Sequence, residues 1–222
     1  MTGRESVGFN LHTLGQILTA TPNLATLALD NISIHASALS GLPPPTFRLT
    51  SLTLKRAPHF TRKQLKWLLR PSSFAESLRQ LALTWDGSAG PALNGVRYAA
   101  LRVTRLVLST STPGLVESAA LHFPSLERLE VRAACRVDAG RLFGNLERPL
   151  VELVDRSGEG AGVGRRGLGW VVATGDLESV RGLRRAVLSG GGGEGMEMVR
   201  VACQAKGVEL VVEEREAQCN KC

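Results

Sequence analysis

Aromatic side chains are scarce in this chain of 222 residues, at 5% of the total. A core with so few rings must be aliphatic, and a hydrophobic fraction of 43% can supply one continuously. Lysine is scarce too. Taking Lys55, Lys63, Lys66, Lys206 and Lys221 from 27 basic residues leaves 22 Arg. These form no dense basic run, which speaks against a disordered basic tail of the nucleic-acid-binding kind. The net charge of +7 is a mild excess that favours acidic partners. The cysteines, Cys135, Cys203, Cys219 and Cys222, are too unevenly placed to read as a disulfide framework. The first ten residues lack an apolar run of signal-peptide length, and no stretch reaches membrane-spanning length. The expectation is a cytoplasmic or nuclear protein with reduced thiols.

Chemistry-bearing patterns are also few. His12, His35, His59 and His122 are scattered, and no Ser/His/Asp or paired-carboxylate spacing can be argued. No Gly-Lys-Ser/Thr occurs, so a nucleotide P-loop is excluded. Gly162-x-Gly164-x-x-Gly167 matches a dinucleotide fingerprint, but so does Gly190-x-Gly192-x-x-Gly195. With 24 glycines the pattern comes cheaply, and the first copy lies well past its strand end, with no acidic partner and following strand at the distance that cofactor binding needs. Both read as loops. Cys219-Asn220-Lys221-Cys222 sits among the last residues and reads as a frayed tail, with an intermolecular zinc clasp or disulfide as the alternative. An enzyme is not expected, nor any cofactor or metal.

What the chain has is one phrase, Leu-x-x-Leu-x-Leu, seven times over. It occurs as Leu24-x-x-Leu27-x-Leu29, Leu49…Leu52…Leu54, Leu78…Leu81…Leu83 and Val103…Leu106…Leu108. It continues as Leu126…Leu129…Val131, degrades at Leu150…Leu153…Asp155 and returns as Leu183…Ala186…Leu188. A last strand is expected near Val208. A repeat of 23 to 33 residues with this phrase defines a leucine-rich-repeat solenoid of about seven irregular units. Its fold class is α/β, with a parallel sheet lining a concave face and helices on the convex one.

The segments between phrases carry helical stripes. Leu11, Leu14, Ile17 and Leu18 precede the first phrase, and Leu65, Leu68 and Leu69 the third. Leu115, Ala119 and Leu121 precede the fifth, Leu142, Phe143 and Leu146 the sixth, and Leu168, Val171 and Val172 the seventh. Met196, Val199, Val201 and Ala202 precede the last strand. Residues 1–23 are expected as a capping helix, 24–212 as the solenoid with a Gly-rich loop at 157–169, and 213–222 as a flexible tail.

The form "Pro-x-Leu-x-x-Leu-x-Leu", at Pro22 to Leu29 and again at Pro124 to Val131, resembles the irregular leucine-rich repeats of F-box-like proteins, especially fungal ones. The resemblance covers residues 10 to 212. It implies a protein-interaction scaffold that serves as a substrate-recognition module of a ubiquitin ligase. Such proteins hold the ligase adaptor through an F-box, and nothing before Leu24 has an F-box's length or Leu-Pro opening. An adaptor is therefore a partner only where an F-box is supplied.

The concave face is the expected site. Its columns hold Arg105, Arg128 and Arg185 at the third phrase position, and Lys55, Arg132 and Arg156 at the seventh. The five arginines would form a basic strip that pairs carboxylates or phosphates bidentately. The strip would take an acidic or phosphorylated protein or, as the alternative, nucleic acid or another phosphate polymer. The bland counterpart is a solvated face neutralised by Glu130 and Glu152. Trp85, just past the third phrase, is the best aromatic anchor, with core packing as its alternative.

Overall fold

The computed structural model describes residues 7–30, 32–35, 48–55, 62–68, 77–85, 100–157, 162–163, 168, 171–172, 178–189 and 194–213. Each of the seven Leu-x-x-Leu-x-Leu phrases becomes a strand, and the segment after Val208 adds an eighth. These are β2 (Thr26–Asp30), β4 (Ser51–Lys55), β5 (Gln80–Trp85), β6 (Arg105–Thr110), β7 (Arg128–Ala133), β9 (Glu152–Asp155), β11 (Arg185–Ser189) and β12 (Glu209–Glu213). They form one eight-stranded sheet in chain order, and every pairing in it is parallel. Chain-order parallel pairing is the topology of a solenoid-like α/β fold, because each unit hydrogen-bonds only to its neighbours.

Period-2 alternation explains why the phrase makes strands. Its fourth and sixth positions point inward, so Leu52, Leu81, Leu106, Leu129 and Leu153 are all at most 1% exposed. Only the end layers loosen, at Leu27 in β2 and at Leu210 and Val212 in β12. The second position carries a repeated polar device. Its carbonyl accepts N–H groups from the second and third positions of the next unit. Ala25 O takes Thr50 N and Ser51 N at 2.8 and 3.2 Å, and Thr104 O takes Glu127 N and Arg128 N, both at 2.9 Å. The same doublet recurs at Thr50, Arg79, Glu127 and Val151. The leading edge of the sheet is thus satisfied layer by layer, as buried backbone must be.

The helices pack on the inward face. They are α1 (Leu11–Thr19), α2 (Arg62–Leu68), α3 (Leu115–Ala120), α4 (Ala139–Gly144), α5 (Glu178–Arg181) and α6 (Glu194–Lys206). Leu14, Leu18, Leu68, Val116, Ala119, Leu142, Phe143, Leu168, Val171, Val172, Met196 and Val199 join the strand leucines in one core. Trp67 is buried beside them; Leu69 and the side chain of Leu65 lie outside the described residues.

The punctuation has physical causes. Asp138 caps α4 by accepting Arg141 N at 3.0 Å. Gly207, at φ 68°, ends α6. Its N–H reaches Gln204 O and the next N–H, of Val208, reaches Cys203 O, the paired bonds of a Schellman cap. Buried Glu117 ties α3 to the next layer, its Oε1 accepting Asp138 N at 2.8 Å. Asp155, the phrase-breaking residue of the sixth unit, is buried at an inward position and is satisfied by N–H and O–H bonds from Ser157.

Several expectations are corrected. The N-terminal cap is not helix alone: β1 (Val7–Asn10) precedes α1 and pairs in parallel with β3 (Ile32–His35). The Gly-rich stretch is not all loop, since β10 (Gly162–Val163) pairs with β8 (Arg136–Val137) and Leu168 is fully buried. Ile17 is 47% exposed because it lies about 100° around the helix from Leu18. Val201, about 200° from Val199, is 58% exposed for the same reason, and Leu121 falls just past the end of α3. The tail beyond Glu213 lies outside the described residues.

Candidate functional site

The sheet face opposite the helices carries the third, fifth and seventh phrase positions in straight columns. Register aligns Thr26, Ser51, Gln80, Arg105, Arg128, Glu152, Arg185 and Glu209 across all eight strands. All five predicted arginines are on this face. They do not form a run of free positive charge. Arg128 Nη1 sits 3.0 Å from Glu152 Oε2, and Arg185 Nη1 is 3.3 Å from Glu152 Oε1. Arg185 Nε also lies 3.5 Å from Glu209 Oε2. Arg132 donates through Nε to Glu130 Oε1 at 2.8 Å. Arg156 Nε stands 3.8 Å from the same oxygen, and its Nη2 is 3.1 Å from Glu213 Oε1. Five arginines against Glu130, Glu152, Glu209 and Glu213 leave one surplus charge.

The two halves of the face therefore differ. In the C-terminal half, where the arginines and glutamates pair, the middle column is closed: Val154, Val187 and even Glu130 are buried, at 1%, 4% and 7% exposure. In the N-terminal half the middle column stays accessible at Ala28, Thr53, Ala82 and Val107. A groove of about 270 Å³ opens there across β4 to β7, with Thr53, Gln80 and Ala82 in its wall and Arg105, Arg128 and Glu130 at its far end. Arg105 is exposed, and its side chain makes no ion pair among the described residues. It is the surplus charge.

Lys55 is exposed at the end of β4, a strand that lines the groove, and is in register with Asp30. Trp85 closes β5 opposite Thr110, and its side chain lies outside the described residues. So do Gly164, Gly167, Gly190, Gly192, Cys219 and Cys222, which leaves the two glycine patterns and the terminal C-x-x-C without a geometry. Burial, then the Glu117 carboxylate, push the Cys135 thiol up, and burial pushes Cys203 up, so neither is an activated nucleophile. No group of three or more His, Cys, Asp or Glu among the described residues could hold a metal ion. No helix there is long and apolar enough to cross a membrane.

Sequence reading missed a second depression, of about 340 Å³, at the leading ends of β7, β9 and β11. Arg148, Arg181 and Arg184 line it. These arginines stand outside the phrase columns that point to the open face, and only the stacking of three successive turns brings them together. No family model, curated protein or solved structure matches this chain.

Proposed function

We propose that the chain is a leucine-rich-repeat scaffold that receives a protein partner on the open face of its sheet, in the groove ending at Arg105. The observation that carries this is the contrast between the halves of the face: one is closed by its own Arg–Glu pairs, the other is accessible and ends at Arg105, whose guanidinium makes no ion pair among the described residues. Such a groove suits an extended protein segment with small or aliphatic side chains and one carboxylate or phosphate for Arg105. The phrase, its period and the repeated carbonyl doublets support the repeat class. The F-box-like resemblance adds a biological setting: substrate recognition for a ubiquitin ligase in the cytoplasm or nucleus. The Arg–Glu pairing weighs against a polyanion, because a phosphate polymer would meet Glu130, Glu152, Glu209 and Glu213 along the same strip.

Capture from native lysate with quantitative mass spectrometry tests this proposal. Arg105→Glu is expected to lower recovery of a discrete protein about tenfold or more, a loss of ~1.4 kcal/mol. Arg200→Glu on α6, 60% exposed in its side chain, should leave recovery unchanged. Equal recovery with wild type and Arg105→Glu would remove the groove from consideration.

A further inference from the structure

We propose that the leading edge of the sheet holds a second, separate site, which grips a phosphorylated peptide through Arg148, Arg181 and Arg184. The inference starts from where this molecule leaves positive charge uncompensated. On the open face four of the five arginines face glutamates within 4 Å. At the leading edge three exposed arginines line one depression, and none of their side chains makes an ion pair among the described residues. Glu127 is the only acid in that lining, so a surplus of two positive charges remains. A phosphomonoester carries about two negative charges and three acceptor oxygens, a match in charge and in hydrogen-bonding capacity for a cluster of guanidinium forks.

The site is built on well-fixed backbone. Its three segments precede three adjacent strands and are bonded to one another: Val151 N donates to Glu127 O at 2.8 Å and Arg184 N to Val151 O at 2.9 Å. Gly182 and Pro149 pack so closely that a Cβ on Gly182 would stand 2.1 Å from the proline's Cβ. The arginines therefore project from a rigid floor, which limits the ordering cost of binding.

The lining favours peptide over nucleic acid. It has no aromatic ring on which a base could stack. Instead Val151 is 40% exposed beside Pro149, and Leu101, one layer away, is 62% exposed. Ser125 Oγ, in the lining, donates to the Leu101 carbonyl at 2.7 Å and so ties the Leu101 backbone to the rim of the depression. A volume of about 340 Å³ lies at the lower end of ligand pockets, room for one anchoring group rather than a polymer. The ligand is then a phosphoserine or phosphothreonine with aliphatic neighbours. This site does not depend on the groove at Arg105.

Fluorescence anisotropy tests it, with a labelled peptide mixture carrying a central phosphoserine and degenerate aliphatic flanks. The comparison probes are the same mixture without phosphate and a short mixed-sequence RNA. The phosphorylated mixture is expected to bind wild type at least tenfold more tightly than its unphosphorylated counterpart. Arg148→Gln with Arg184→Gln should erase that preference, Arg148→Lys with Arg184→Lys should retain part of it, and Arg105→Gln should leave it intact. Circular dichroism of each variant checks the fold, which exposed substitutions should not disturb. Equal affinity for both peptide mixtures, or an unchanged preference in the Gln variant, would overturn the assignment. Tighter binding of the RNA, lost in the Gln variant, would overturn it in favour of nucleic acid.

Discussion

Leu129→Asp is expected to abolish cooperative folding. Leu129 is 1% exposed near the start of β7, in register with Leu106 on one side and Leu153 on the other. Losing its burial forfeits ~2 kcal/mol. Burying a carboxylate without a partner costs several kcal/mol more. The sum is comparable to the ~5–15 kcal/mol that holds a whole domain together. In a stack whose layers contact only their neighbours, a fault in the middle also uncouples the two ends. Urea unfolding should show a shallow, early transition, and amide exchange in β6, β7 and β9 should become fast. The adjacent Arg128→Ala removes a partly exposed side chain paired with Glu152, and should cost ~1 kcal/mol or less. Similar midpoints for the two variants would mean that β7 does not have the inward and outward faces assigned to it.

Gly182→Ala should be the next most damaging change, although it adds a single methyl group. The backbone at Gly182 lies against Pro149, and the new Cβ would meet the proline's Cβ at 2.1 Å and its Cα at 3.3 Å. Neither atom belongs to a flexible side-chain end, so the turn before β11 must move away from the turn before β9. Overpacking of this kind costs ~1–3 kcal/mol. Pro149→Gly removes the clashing Cβ, so the double variant should recover part of what Gly182→Ala loses. A double-mutant cycle by urea unfolding reads this directly. Independent, additive effects would show that the two turns are not in contact.

Much of the frame was legible in the chain. The Leu-x-x-Leu-x-Leu spacing marked seven of the eight strands of the large sheet, and phrase alignment placed Arg105 beside Arg128 and Glu152 beside Arg185, as the register does. The period works because the inward leucines repeat without change from layer to layer. The charge balance of the site was less legible. Glu130 and Glu152 stood in the same columns as the arginines, but a column does not say whether two side chains meet. Glu130 is buried and pairs with both Arg132 and Arg156, which the column order does not show. The short pairings of β1 with β3 and β8 with β10 carry too few residues for an alternation signal. Asp155 looked like decay of the repeat and is instead an inward acid held by Ser157. The depression at Arg148, Arg181 and Arg184 has no signature along the chain, because its residues come from three turns 23 to 36 positions apart in contributing pairs such as Ser125–Arg148 and Arg148–Arg184.

Site-specific photocrosslinking distinguishes a protein bound on the open face from one bound on the helical side. A photoreactive phenylalanine analogue at Thr53 lies in the groove wall, and one at Val201 lies on the exposed side of α6. Irradiation in native lysate is predicted to give one discrete crosslinked protein from position 53, lost when Arg105→Glu is added, and none from position 201. A discrete product from position 201 with nothing from position 53 would contradict the account.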